Sequence, residues 1–210
     1  MNNASSNRPS IGQWVSLITC GWLIGFITGI FMADALETLH LDFALIIVGM
    51  SFWVGLMQRI ALRKQLFINN LWVLFEVLGL STPFVISNFI VVLLNNSFPG
   101  LIGERTNMLL IIVATPIGGT FAGWLQYKFM LINDDSKNSR EWIKYSFIGW
   151  TGCSFFIMTY FLFATSLHLE KSMAGKLLNI SVLLLGGPIL GGLSGLGLKS
   201  ISNTAAFTHQ

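Results

Sequence analysis

Charge is what this sequence most lacks: 210 residues carry 9 acidic and 12 basic side chains, 10% of the chain. Soluble domains carry about 25% charged residues, so a water-facing surface cannot be assembled from this composition. Cysteine is almost missing too. Cys20 and Cys153 both fall inside apolar runs, where a thiol is a small filler, and neither a disulfide framework nor a metal spacing can be drawn from two such residues. His40 and His168 have acidic neighbours (Asp34, Glu37, Asp42, Glu170), but no pair has a helical i, i+4 or finger-like spacing, and His209 stands alone in the tail. These read as solvated loop residues, and no metal is expected. The chain also lacks a nucleophile motif, a phosphate-cradling glycine loop after a strand and a zinc-binding helix, so a non-enzymatic protein is expected.

What is present is apolar. Hydrophobic residues make up 53% of the chain and the mean hydropathy is +0.70. Six runs, near 11–33, 43–62, 71–94, 108–132, 145–167 and 177–198, are long enough to cross roughly 30 Å of hydrocarbon at about 1.5 Å per residue. The expectation is an all-α integral membrane bundle of six transmembrane helices. The first run is longer than the 7–15 residue core of a signal peptide and has one Arg before it, so it reads as an anchor despite the small residues Ala33 to Ala35.

A net charge of +3 and a pI near 9.0 reflect topology and not nucleic-acid binding, because the basic residues are in loops. Arg8, Arg59, Arg63, Lys64, Lys128, Lys137, Arg140, Lys144 and Lys199 fall on one side of a six-span chain; Arg105, Lys171 and Lys176 fall on the other. Positive charge collects in the cytoplasm, so both termini are expected there, in a bacterial inner (cytoplasmic or thylakoid) membrane.

A set of landmarks recurs along the chain. Trp14 precedes Gly21 by seven residues, as Trp72 precedes Gly79 and Trp142 precedes Gly149; Trp22 and Trp150 follow directly, with Leu80 between them in order. In the even runs Gly55 and Gln58 match Gly123 and Gln126, and "TPIGGTFAG" (115–123) matches "GPILGGLSG" (187–195). Three tandem helical hairpins account for this: 11–66, 67–132 and 142–202, with tails at 1–10 and 203–210 and a connector at 133–141. Two spans per unit make every unit enter the membrane in the same direction, which excludes an inverted repeat and permits a pseudo-threefold arrangement.

Each recurring residue type has an expected role. Trp14, Trp72 and Trp142 fall near the cytoplasmic ends of odd runs, where indoles suit the headgroup level as interface anchors. Small residues recur at every fourth position, at Gly21, Gly25 and Gly29, at Gly79, Pro83 and Ser87, at Gly119 and Gly123, and at Gly187, Gly191 and Gly195. In lipid such stripes let backbones approach, either within the bundle or toward a second chain. Pro83, Pro116 and Pro188 each remove a helix bond, and neighbouring helices must satisfy the freed carbonyls.

Glu76 is the one carboxylate inside a run; the matching positions are Ile18 and Ser146. A carboxylate in lipid either reaches a headgroup or a basic partner, here Arg59, Arg63 or Lys128, or it forms a proton or cation site. Gln58 and Gln126 close even runs at matching places, where they bond nearby backbone or hold a polar ligand; the third unit has Leu198.

On Gly55, Gln58, Leu62, Arg63, Trp72 and Gly79, and again on Gly123, Gln126, Trp142, Gly149 and Trp150, the chain resembles a set of uncharacterised polytopic bacterial membrane proteins of the cyanobacterial type. These repeat a "G..Q...LR" end and a "W......GW" start. The resemblance covers most of the chain and implies a helical hairpin fold, with no activity and no cofactor attached. Leu80 and the missing third Gln depart from the pattern. The acidic and basic signature of mitochondrial carriers is not found. Two functions fit: an accessory subunit or scaffold packing against lipid, a partner membrane protein, a second copy or a hydrophobic ligand, and a small-solute or ion transporter with a polar site near Glu76.

Overall fold

The computed structural model describes residues 9–36, 42–63, 68–98, 104–131, 140–166 and 173–202. Both tails up to 8 and from 203, His40, His168, His209 and residues 133–139 of the connector lie outside them. The described chain is all-helical: α1 (Ile11–Ala35), α2 (Asp42–Leu62), α3 (Leu71–Ser97), α4 (Glu104–Gln126) with a π-helical turn at Tyr127–Leu131, α5 (Glu141–Ser166) and α6 (Met173–Ser202).

Among the described residues three helices are long and apolar enough to cross a membrane, Ile11–Ala35, Ala44–Leu62 and Leu71–Leu94; Leu184–Leu198 is a shorter apolar stretch. The later helices run past the apolar stretches that predict them. α4 starts at Glu104 rather than 108, and α5 at Glu141 rather than 145, because backbone bonding continues through polar residues that a hydropathy window rejects. The start of α1 is set locally: Ser10 Oγ accepts from the Gln13 amide (3.1 Å) and Gln13 returns a bond to the Ser10 amide (3.0 Å), a complete capping box.

Each helix packs on its neighbours in the chain, and α6 closes on α1, so the six form a ring. The odd helices turn one stripe inward. Trp14, Ile18 and Trp22, then Trp72, Glu76 and Leu80, then Trp142, Ser146 and Trp150 are spaced i, i+4, i+8, and all nine are buried. The outside is as apolar as the inside, with Phe31, Phe89, Phe129 and Phe155 all exposed. Polarity is instead drawn inward, to Gln58, Glu76, Gln126, Ser146, Ser154 and Ser194.

Small residues set the helix separations. A Cβ added at Gly25 would lie 2.6 Å from Met50 Cα, and one at Gly49 would lie 2.7 Å from the Gly25 carbonyl, so α1 and α2 touch backbone to backbone. Gly21 and Gly29 face Trp53 and Ile46 of α2 in the same way, and Gly79 faces Ala122 of α4. The even helices use glycine toward the following odd helix: Gly119 against Trp150, Gly123 against Ser146, and Gly187, Gly191 and Gly195 against Thr19, Val15 and Trp14. All nine of these stripe positions thus meet a neighbouring helix of the same chain.

Pro83, Pro116 and Pro188 sit inside α3, α4 and α6. Pro116 cannot bond the Ile112 carbonyl one turn earlier, and Ser154 Oγ of α5 donates to that oxygen at 3.0 Å. The cost of the proline is met by a hydroxyl from the adjacent helix.

Candidate functional site

The three leading tryptophans meet inside the ring. Trp72 and Trp142 have ring centroids 5.4 Å apart, Trp14 and Trp142 6.1 Å apart in an edge-on arrangement. Two turns along, Trp22 and Trp150 approach to 6.4 Å, with Leu80 beside them in register. The expectation that Trp14, Trp72 and Trp142 anchor the protein at headgroups is therefore corrected. They are 0%, 0% and 1% exposed, and an indole so enclosed has no face left for the membrane boundary. An indole suits either setting provided its N–H finds an acceptor. Here each does, inside the protein.

Those acceptors form the site. Trp72 Nε1 donates to Gln58 Oε1 (2.9 Å), and Trp142 Nε1 donates to Gln126 Oε1 (2.7 Å). Trp14 Nε1 donates to Ser194 Oγ (3.2 Å), whose own proton goes to the Leu190 carbonyl (2.7 Å). In each case the donor helix follows the acceptor helix around the ring, with α1 following α6. Gln58 and Gln126 are fully enclosed, and their partners are indoles from the next helix rather than headgroups.

An indole N–H can only donate, and this fixes which way each amide points. With Oε1 taken by Trp142, Gln126 turns its NH₂ inward and donates to Glu76 Oε2 (2.7 Å), with a longer contact to the Trp72 carbonyl (3.5 Å). Gln58, its Oε1 taken by Trp72, likewise presents NH₂ toward Glu76, and the Trp150 indole faces the same carboxyl. Neither forms a bond of ordinary length, and Glu76 Oε1 is left with no hydrogen-bond partner among the described residues.

Glu76 is 0% exposed. It is bonded to Gln126 and not to Arg59, Arg63 or Lys128, and the groups facing it are uncharged. The sequence pattern singled out every side chain of this constellation except Ser194. Trp14 finds its acceptor in Ser194, one helical turn before Leu198 and next to Gly195, which packs on the same indole. Trp150 was legible as a landmark but not as a neighbour of the carboxyl, since that contact crosses from α5 to α3.

No group of three or more His, Cys, Asp or Glu side chains positioned to hold a metal occurs among the described residues. Chemically, the arrangement gathers donors on one buried carboxyl. Comparison with known protein families, curated proteins and solved structures yields no match to this chain.

Proposed function

We propose that this is a six-span membrane protein of three parallel helical hairpins, both termini cytoplasmic, in a bacterial inner membrane. It acts as a non-enzymatic component, an accessory subunit or scaffold whose outer surface packs against partner helices, lipid or a hydrophobic ligand. The observation that carries this is the filled centre. Five enclosed indoles, Trp14, Trp72, Trp142, Trp22 and Trp150, occupy the middle of the ring at two levels, where a conducting protein needs room and converging polar groups. The indole-to-acceptor bonds, repeated at Trp14, Trp72 and Trp142, support the hairpin repeat. The apolar exterior supports the membrane setting. Purification of the tagged chain in mild detergent tests the reading: a stable heteromeric complex is expected, and a chain that always purifies alone counts against it.

A second reading, a small-solute or ion transporter, is favoured by one observation, the enclosed Glu76 carboxyl with an unbonded oxygen. Solute flux into liposomes containing this chain alone would establish it.

A further inference from the structure

The three side chains that face Glu76 come from three different places in the ring. Gln58 is on α2, Gln126 on α4 and Trp150 on α5, while Glu76 itself is on α3. In the hairpin reading these are units one, two and three, so a single carboxyl lies where all the units meet. Gly55, one turn before Gln58, presses on the Glu76 side chain, where an added Cβ would be 2.9 Å from Glu76 Cβ. The carboxyl is therefore held from the side as well as by its oxygens.

We propose that Glu76 is a proton-binding site at the junction of the hairpins, and that taking up or releasing the proton tightens or loosens their contact. The proposal deepens the transporter reading, from which it takes the idea of a polar site at Glu76. Among the described residues the donors facing this group number three, all uncharged, and no cation faces it to fix its charge state. On α2 the nearest charged residue is Arg59, next to Gln58 and half-buried, and its Nε makes no hydrogen bond among the described residues. On α4 and its π-turn it is Lys128, which is exposed, and on α5 Glu141 and Lys144, exposed and paired with each other at 3.3 Å. The groups aimed at the carboxyl are N–H donors, which cannot ligate a metal cation, so the ligand that suits this site is a single proton on the carboxyl.

The step balances simply: a hydronium ion gives its proton to a carboxylate oxygen, one O–H bond breaking as another forms, and the products are the neutral acid and water. The consequence falls on the donors. A carboxylate accepts strongly from Gln126 and draws the nearby N–H groups of Gln58 and Trp150 toward it, whereas the neutral acid accepts weakly. Protonation therefore weakens the bond that holds α3 to α4 and lessens the attraction of Glu76 for the α2 and α5 side chains that face it.

Infrared difference spectroscopy of the full chain in liposomes, as pH is stepped from about 9 to about 4, tests this. A carboxylic-acid C=O band that appears reversibly in the natural protein and is missing in Glu76→Gln is expected, together with a change in tryptophan emission that the variant lacks. If Glu76→Gln does not purify folded, Gln126→Leu takes its place: it keeps the carboxyl and removes a donor, so the band must change frequency. A spectrum with no band that depends on Glu76 or shifts with Gln126 overturns the proposal. The band without solute flux sinks the transporter reading and keeps the proton site, whereas flux without the band does the reverse.

Discussion

Replacing Gln126 with Leu breaks the site at its most connected point. The amide is 0% exposed and makes two bonds of 2.7 Å, from Trp142 Nε1 and to Glu76 Oε2. Leucine fills similar volume but leaves an indole N–H and a carboxyl oxygen without their partners. Orphaned buried polar groups cost about 1–3 kcal/mol each in water-soluble proteins. Side-chain hydrogen bonds measured within lipid average nearer ~0.6 kcal/mol, with ~1.7 kcal/mol at the top, because a membrane-unfolded chain also finds partners. For the membrane setting proposed above the lipid values apply, and two bonds give an expected loss of about 1–3 kcal/mol. Against a total stability on the order of 5–15 kcal/mol this is easily resolved. The assay is reversible unfolding in mixed micelles, run as a double-mutant cycle with Trp142→Phe, in which a coupling of about 0.6–1.7 kcal/mol is expected. A Leu variant within about 0.5 kcal/mol of the natural protein, with no coupling to Trp142, would refute the directed network.

Three further outcomes follow from the packing. Gly25→Val should lower stability by more than about 2 kcal/mol or prevent folding, since its Cβ meets Met50 Cα, whereas Gly192→Ala, with nothing within 4 Å, should be neutral or gain up to about 1 kcal/mol in the same unfolding assay. Ser154→Ala should cost about 0.6–1.7 kcal/mol by orphaning the Ile112 carbonyl, and the cost should shrink in a Pro116→Ala background, where the helix itself can bond that oxygen; equal costs in both backgrounds would break the link. In liposomes a charged, membrane-impermeant maleimide should label neither Cys20, which is exposed on α1, nor Cys153, which is buried, because the thiolate that reacts forms only in contact with water, and both should label once the chain is unfolded in detergent; rapid labelling of Cys20 in the liposomes would argue against a lipid-facing α1.

How much was legible beforehand depends on which physical force each feature reports. Long apolar runs mark helices whatever their surroundings, so six helices follow from hydropathy, with polar ends such as Glu104 and Glu141 missed because they add length without adding hydrophobicity. The stripe at every fourth position marks contact, since a residue without bulk is the one that lets a second backbone in. Glu76, Gln58 and Gln126 stood out as polar groups in an apolar setting. Their partners did not, because the bonds that join them run between helices separated by the length of a hairpin loop or more.

The tryptophans show where sequence reasoning stops. In water, burial sorts apolar from polar and an inward face can be read directly; in a chain whose outside is as hydrophobic as its core, Phe155 and Trp142 carry the same signal although one is exposed and the other enclosed. An indole at the end of an apolar run is equally at home among headgroups or beside a buried amide. The chain alone thus determined helical content, close-packing stripes and an anomalous carboxylate. Which way each helix turns, and therefore that Trp14 finds Ser194 and that Glu76 faces Gln126, is decided by the packing of α6 on α1 and of α4 on α3, because acceptors for enclosed N–H groups exist only once neighbouring helices supply them.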